Sequence, residues 1–156
     1  MSQAGNYFAR RGAALVVLAE NGVVPVPLVT AARSAGGLVE IVGDGSIVLP
    51  AALRDVALEV VERREERLAR IAKKASAFVA LPGSLASATA LFGAWAAAQG
   101  AGRSLPCVML NRHRAFEVMR GYAADVLSPG LPGYEKAIQF SDNIEDVWSR
   151  VSRMAS

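Results

Sequence analysis

Apolar residues in this chain fall into short, nearly continuous runs separated by longer stretches in which they recur every three or four positions. Ala13–Leu18, Leu38–Val42, Ala57–Val61, Ala77–Leu81, Leu105–Leu110 and Ala137–Phe140 are of the first kind. Runs this short, bounded by turn residues, predict strands of a parallel sheet covered on both faces. The longer stretches predict helices. The residues up to Arg10-Arg11-Gly12 read as a helix ended by a glycine, and Pro27–Ala35 as a short helix closed by Gly36-Gly37. Glu62–Lys74 is a charged helix turning Leu68, Ile71 and Ala75 toward the core, with Glu66 and Arg70 spaced to pair along it. Ala88–Gln99 brings Leu91, Trp95 and Ala98 near one face, and Phe116–Leu127 closes at Ser128-Pro129-Gly130. Asn143–Met154 carries Ile144, Val147, Trp148 and Val151 at helical spacing, behind Asp142 or Asn143 as cap. Gly43-Asp44-Gly45 reads as a tight hairpin-type turn, with Ser46–Leu49 as an extended piece pairing beside it.

Strands alternating with helices predict an α/β fold, three-layer and Rossmann-like, with a mainly parallel sheet flanked by helices in one domain over residues 1–156. In such folds ligands gather beyond the carboxyl ends of the strands. The stretch Ala75–Trp95 has the most suggestive layout there: a buried strand breaks at Pro82-Gly83, passes through small residues and restarts as an apolar helix. Free backbone N–H groups and the positive end of a helix dipole would then face whatever lies over the loop, which is the arrangement of a phosphate cradle.

Composition narrows the function more than it defines it. A hydrophobic share of 53% supplies one compact domain with a full core. The net charge of +3 comes from bases interleaved with acids, as in Glu62-Arg63-Arg64-Glu65-Glu66-Arg67, which reads as a solvated helix face. A nucleic-acid surface needs a one-sided basic stripe with stacking aromatics, so no nucleic-acid partner is expected. No apolar stretch is long enough to span a bilayer, and Glu20-Asn21 interrupts the only run resembling a leader. Cys107, the single cysteine, lies inside an apolar run and reads as a small buried hydrophobe in a reducing, cytoplasmic setting. His113, the single histidine, sits between Arg112 and Arg114 without companions at metal or triad spacing, so it reads as a loop residue and no metal site is expected.

The strand Ala77-Phe78-Val79-Ala80-Leu81 and the following Pro82-Gly83-Ser84-Leu85-Ala86-Ser87-Ala88-Thr89-Ala90 resemble the Lonely Guy family of phosphoribohydrolases. That family has Ala-Phe-x-Ala-Leu followed by Pro-Gly-Gly-x-Gly-Thr-x-x-Glu. Leu91-Phe92, Trp95, Ala98-Gln99, Asn111 and Leu127-Ser128-Pro129 also fall where the family has similar residues, so the resemblance runs from Phe8 to the C-terminus. It implies a Rossmann-like nucleotide-binding domain in which the signature glutamate and a helix arginine cleave a nucleoside 5′-monophosphate into base and ribose phosphate. Arg67 stands at the arginine position, but Ala90 stands at the glutamate position. A methyl group neither stabilises an oxocarbenium ion nor activates water. Ser84 and Ala86 replace signature glycines where the backbone should approach phosphate. The family's second glycine-rich loop appears as Ala19–Pro25, where Glu20 would repel a phosphate. The family's first strand has no counterpart, since the chain opens near the end of the helix that follows it.

The resemblance therefore implies a degenerate member that binds a nucleoside monophosphate or nucleotide-bearing cofactor without hydrolysing it. Its expected contacts are Pro82, Gly83, Ser84, Ala86 and Ser87 in the first loop, Arg67 on the charged helix, and Asn21 and Gly22 in the second loop. Among relatives, the molybdenum cofactor carriers bind without hydrolysis. Two other readings stand beside it: an active phosphoribohydrolase in which Glu20, Glu65 or Glu66 supplies the carboxylate, and a non-catalytic subunit pairing with a full-length paralogue. The resemblance also implies a homodimer, because Leu91, Phe92 and Trp95 exceed what one helix face needs and lie where the family dimerises.

Overall fold

The computed structural model describes residues 1–82, 93–99, 105–122, 124–125 and 137–155. The chain is α/β and divides into two compact units, Met1–Ala75 and Ser76–Ser156, each with its own three-stranded, all-parallel sheet.

In the first unit the order is α1 (Ser2–Arg10), β1 (Leu15–Ala19), α2 (Val26–Ser34), β2 (Val39–Gly43), β3 (Ala57–Val60) and α3 (Arg64–Lys74). The strands lie β1-β2-β3, in register from Leu15↔Val39 to Ala19↔Gly43 and from Glu40↔Ala57 to Gly43↔Val60. Val17, Ala19, Val29, Ile41, Ile47, Leu53 and Val56 form a buried cluster on this sheet. A fully buried side chain such as Ile41 contributes roughly 2–3 kcal/mol of hydrophobic stabilisation. α1 lies close against α2: a β-carbon at Gly5 would run into the Leu28 carbonyl oxygen, so only glycine permits this approach. α2 starts with Pro27 in its first turn and ends at Gly36, whose φ of 79° makes it a left-handed stop.

Three expectations for this unit are corrected. Ser46–Leu49 does not pair beside β2, because β1 and β3 already occupy both of its edges; the segment is a loop that packs Ile47 and Leu49 onto the core. On α3 the buried positions are Arg67, Ile71 and Ala72, while Leu68 and Ala75 are half-buried. Nor does Arg70 pair with Glu66. Arg70 reaches Glu59 at 2.9 Å, Lys74 reaches Glu40 at 2.6 Å and Glu59 at 3.3 Å, and Glu66 pairs with Arg63 at 3.2 Å. The basic end of α3 is thus tied to the acidic residues of β2 and β3.

The second unit runs β4 (Phe78–Ala80), α4 (residues 93–99), β5 (Cys107–Leu110), a 3₁₀ turn at Arg112–Arg114, α5 (Glu117–Tyr122), β6 (Ile138–Ser141) and α6 (Ile144–Ala155). The order is β4-β5-β6, and all four side chains of the central strand β5 are buried. Cys107 is one of them, and desolvation pushes its thiol up to about 12, as a core residue rather than a nucleophile. Trp95 is 3% exposed and donates its Nε1 hydrogen to the Leu105 carbonyl at 2.9 Å, so the chain itself covers its ring. α6 packs on β5, and the Asn143 side chain caps it by accepting the Asp146 N–H at 2.8 Å. No helix among the described residues is long and apolar enough to cross a membrane.

Candidate functional site

Parallel strands β1, β2 and β3 all end at one edge of their sheet, and the loops that leave it converge. β1 runs into Glu20-Asn21-Gly22, a turn closed by an antiparallel bridge between Glu20 and Val23. Asn21 has φ 54° and Gly22 φ 76°, so both occupy the left-handed region. β2 runs into Asp44-Gly45-Ser46, and β3 runs through Val61 and Glu62 into α3, which carries Arg67.

These loops satisfy one another. The Asn21 N–H donates to Asp44 Oδ2 at 3.0 Å and the Gly22 N–H to Ser46 Oγ at 2.9 Å. Asp44 Oδ1 also accepts the Ser46 N–H at 2.9 Å and the Ser46 hydroxyl hydrogen. The Ser46 hydroxyl bond, then the Asn21 and Ser46 amides, with the attraction of Arg67, hold the Asp44 carboxyl down at about 2. The two amides expected to face a phosphate therefore already hold a carboxylate and a hydroxyl of the chain itself. The signal was present in Asp44-Gly45-Ser46: an aspartate two residues before a serine favours a local side-chain-to-backbone turn as readily as a hairpin.

Arg67 is only 5% exposed. Its Nη1 donates to the Val61 carbonyl at 2.8 Å and to the Glu62 carbonyl at 3.0 Å. Its Nε donates to Glu20 Oε2 at 3.0 Å, and Nη2 donates to the same oxygen. Arg64 Nε stands 3.6 Å from that oxygen as well. Glu20, expected to repel a ligand, instead neutralises the arginine expected to bind it. As the relocated catalytic carboxylate it has Oε2 engaged by Arg67; Glu65 and Glu66 are exposed on α3, with Glu66 on Arg63.

In the second unit Pro82 is half-buried just beyond β4. Gly83, Ser84, Ala86 and Ser87, together with Ala90, lie outside the described residues, as do Leu91 and Phe92. At the same edge, Asn111 follows β5 and is 3% exposed. Its N–H donates to the Ser141 carbonyl at 2.6 Å, its Oδ1 accepts the Phe116 N–H at 2.7 Å and its Nδ2 donates to Glu117 Oε1 at 2.5 Å. Ser141 Oγ donates to Asp146 Oδ2 at 2.6 Å, an oxygen that also accepts Arg150 Nε at 2.8 Å. That hydroxyl bond, with the neighbouring arginines, lowers the Asp146 carboxyl below its ordinary value. Between Asn111 and α5, exposed His113 and Arg114 have φ of 56° and 60°. Nothing in an Arg-His-Arg triplet announces a left-handed backbone, so the sequence marks these two only as loop residues.

No group of three or more histidine, cysteine, aspartate or glutamate side chains placed to hold a metal ion occurs among the described residues. No protein-family model and no curated protein sequence matches this chain.

Proposed function

We propose that this chain is a Lonely-Guy-like nucleotide- or nucleotide-cofactor-binding module that does not hydrolyse its ligand. The observation that carries the non-hydrolytic part of the reading is the state of Arg67. In the family resembled, an arginine at this position works on substrate beside a glutamate. Here its guanidinium is buried, neutralised by Glu20 and bonded to two main-chain carbonyls, so it joins β1, β3 and α3. Ala90 supplies no carboxylate in the glutamate's place. The two parallel sheets keep carboxyl edges of the kind where α/β proteins hold ligands. A buried, unpaired Cys107 fits a reducing, cytoplasmic location, and a homodimer remains part of the reading by resemblance alone.

A proton NMR titration of the purified chain with adenosine monophosphate tests this, with ligand linewidths and free adenine read in the same tube. Broadened ligand lines without adenine are expected. Adenine release would overturn the non-hydrolytic reading, and sharp, unchanged lines would overturn nucleotide binding in favour of a subunit that pairs with a catalytic paralogue.

A further inference from the structure

We propose that the Arg112–Arg114 turn is an anion site that takes a phosphate monoester, with Arg114 and His113 as its contacts. The nucleotide named as ligand rests on the reading above; the site itself does not.

Position comes first. The turn leaves the carboxyl end of β5, the central strand of its parallel sheet, where ligands of α/β folds collect. Ala80 pairs with Met109, so the chain leaves β4 at Pro82 on this same edge. Backbone conformation comes second. His113 (φ 56°, ψ 31°) and Arg114 (φ 60°) are successive bulky residues in a region that glycine and asparagine ordinarily fill. Strain of that kind persists where the surroundings over-determine it, and it concentrates at ligand sites. The surroundings here are the three hydrogen bonds of buried Asn111 and the Arg114 N–H donated to the Asn111 carbonyl at 3.2 Å. Their outcome is to hold two basic side chains in solvent.

Charge comes third. The neighbouring carboxylates are engaged: Glu117 by Asn111 and by Arg120 at 3.9 Å, Asp146 by Ser141 and Arg150. Asp142 after β6 and Glu145 in the first turn of α6, both exposed, are the other acids here among the described residues. Neither His113 nor Arg114 makes an ion pair among the described residues. In the first unit, by contrast, the Asn21 and Gly22 amides are occupied by Asp44 and Ser46, and Arg67 by Glu20. An arginine fork left open beside a second basic group suits a phosphate monoester, which it binds through paired, charge-assisted hydrogen bonds.

The test uses the full chain, ¹⁵N-labelled, titrated with adenosine monophosphate, inorganic phosphate and adenosine. Both phosphate ligands should shift the amide signals of residues 112–116, and adenosine should not. Arg114→Gly relieves the left-handed strain, so it should fold at least as well as the parent while binding adenosine monophosphate about tenfold more weakly; Arg114→Lys should retain part of the affinity. Unchanged affinity in Arg114→Gly, or phosphate shifts confined to other residues such as 21 and 22, overturns the site. Phosphate binding at 112–116 without nucleotide binding keeps the site and sinks the nucleotide reading. Nucleotide binding that leaves 112–116 unmoved does the reverse, and no binding of either phosphate ligand sinks the site.

Discussion

Glu20, at the end of β1, and Arg67, in the middle of α3, hold one another across 47 positions of sequence, with side chains 13% and 6% exposed. Burial makes each dependent on the other. Desolvating a charge costs several kcal/mol, and the partner together with the Val61 and Glu62 carbonyls offsets it.

Removing one partner should therefore cost more than removing both. Glu20→Ala is expected to destabilise by about 3 kcal/mol, because it leaves a buried guanidinium without its counter-charge. Glu20→Leu combined with Arg67→Met should recover most of that loss, with a coupling of about 1 kcal/mol or more between the positions. Urea unfolding of Glu20→Ala, of Glu20→Leu and Arg67→Met singly, and of the double variant checks this. Additive losses would mean that the pair does not act as a unit.

Asp44 gives a prediction in pH. Its carboxyl is held at about 2, below an ordinary value of 3.8, so the folded state favours the charged form. Its contribution is complete above pH 4 and disappears as pH falls toward 2. Asp44→Asn should lower the melting temperature most above pH 4, and the two curves should converge near pH 2. Comparing the two proteins at each pH cancels Asp55 and Asp146, which hydrogen bonds to Arg33 and Ser141 also lower. A gap that stays constant from pH 7 to pH 2 would remove Asp44 as the source.

Gly5 tests the approach of α1 to α2. A β-carbon there would meet the Leu28 carbonyl and come within 3.1 Å of the Ala32 nitrogen, both backbone atoms that do not swing aside. Gly5→Ala should destabilise by about 1–3 kcal/mol despite the better helix propensity of alanine. A variant as stable as the parent by thermal melting would show that the helices part at little cost.

Much of the fold was legible along the chain. β1 to β6 all lie within a residue or two of their apolar runs, because a parallel strand needs apolar side chains on both faces and few other segments supply them. α6 begins where Asn143 caps it. Ser46–Leu49 was misread because local turn chemistry does not reveal whether the edges of the preceding strand are taken. Arg67 is expected from the resemblance as a phosphate contact, and its spacing from Ile71 places both on one helical face; its counter-charge, Glu20, lies on another element and is not visible in the local sequence.

The sequence by itself determined where strands and helices fall, the α/β alternation and the parallel direction, since these follow from periodicity, caps and turn residues within a few positions of each other. Only the tertiary structure decided that Asp44 and Ser46 close the Asn21-Gly22 turn, that Glu20 buries Arg67, and that Asn111 holds His113 and Arg114 in a left-handed turn. The first two join residues brought together only when parallel strands align their carboxyl ends. The third depends on Asn111, whose N–H is held on β6 by the Ser141 carbonyl while its buried side chain bonds Phe116 and Glu117.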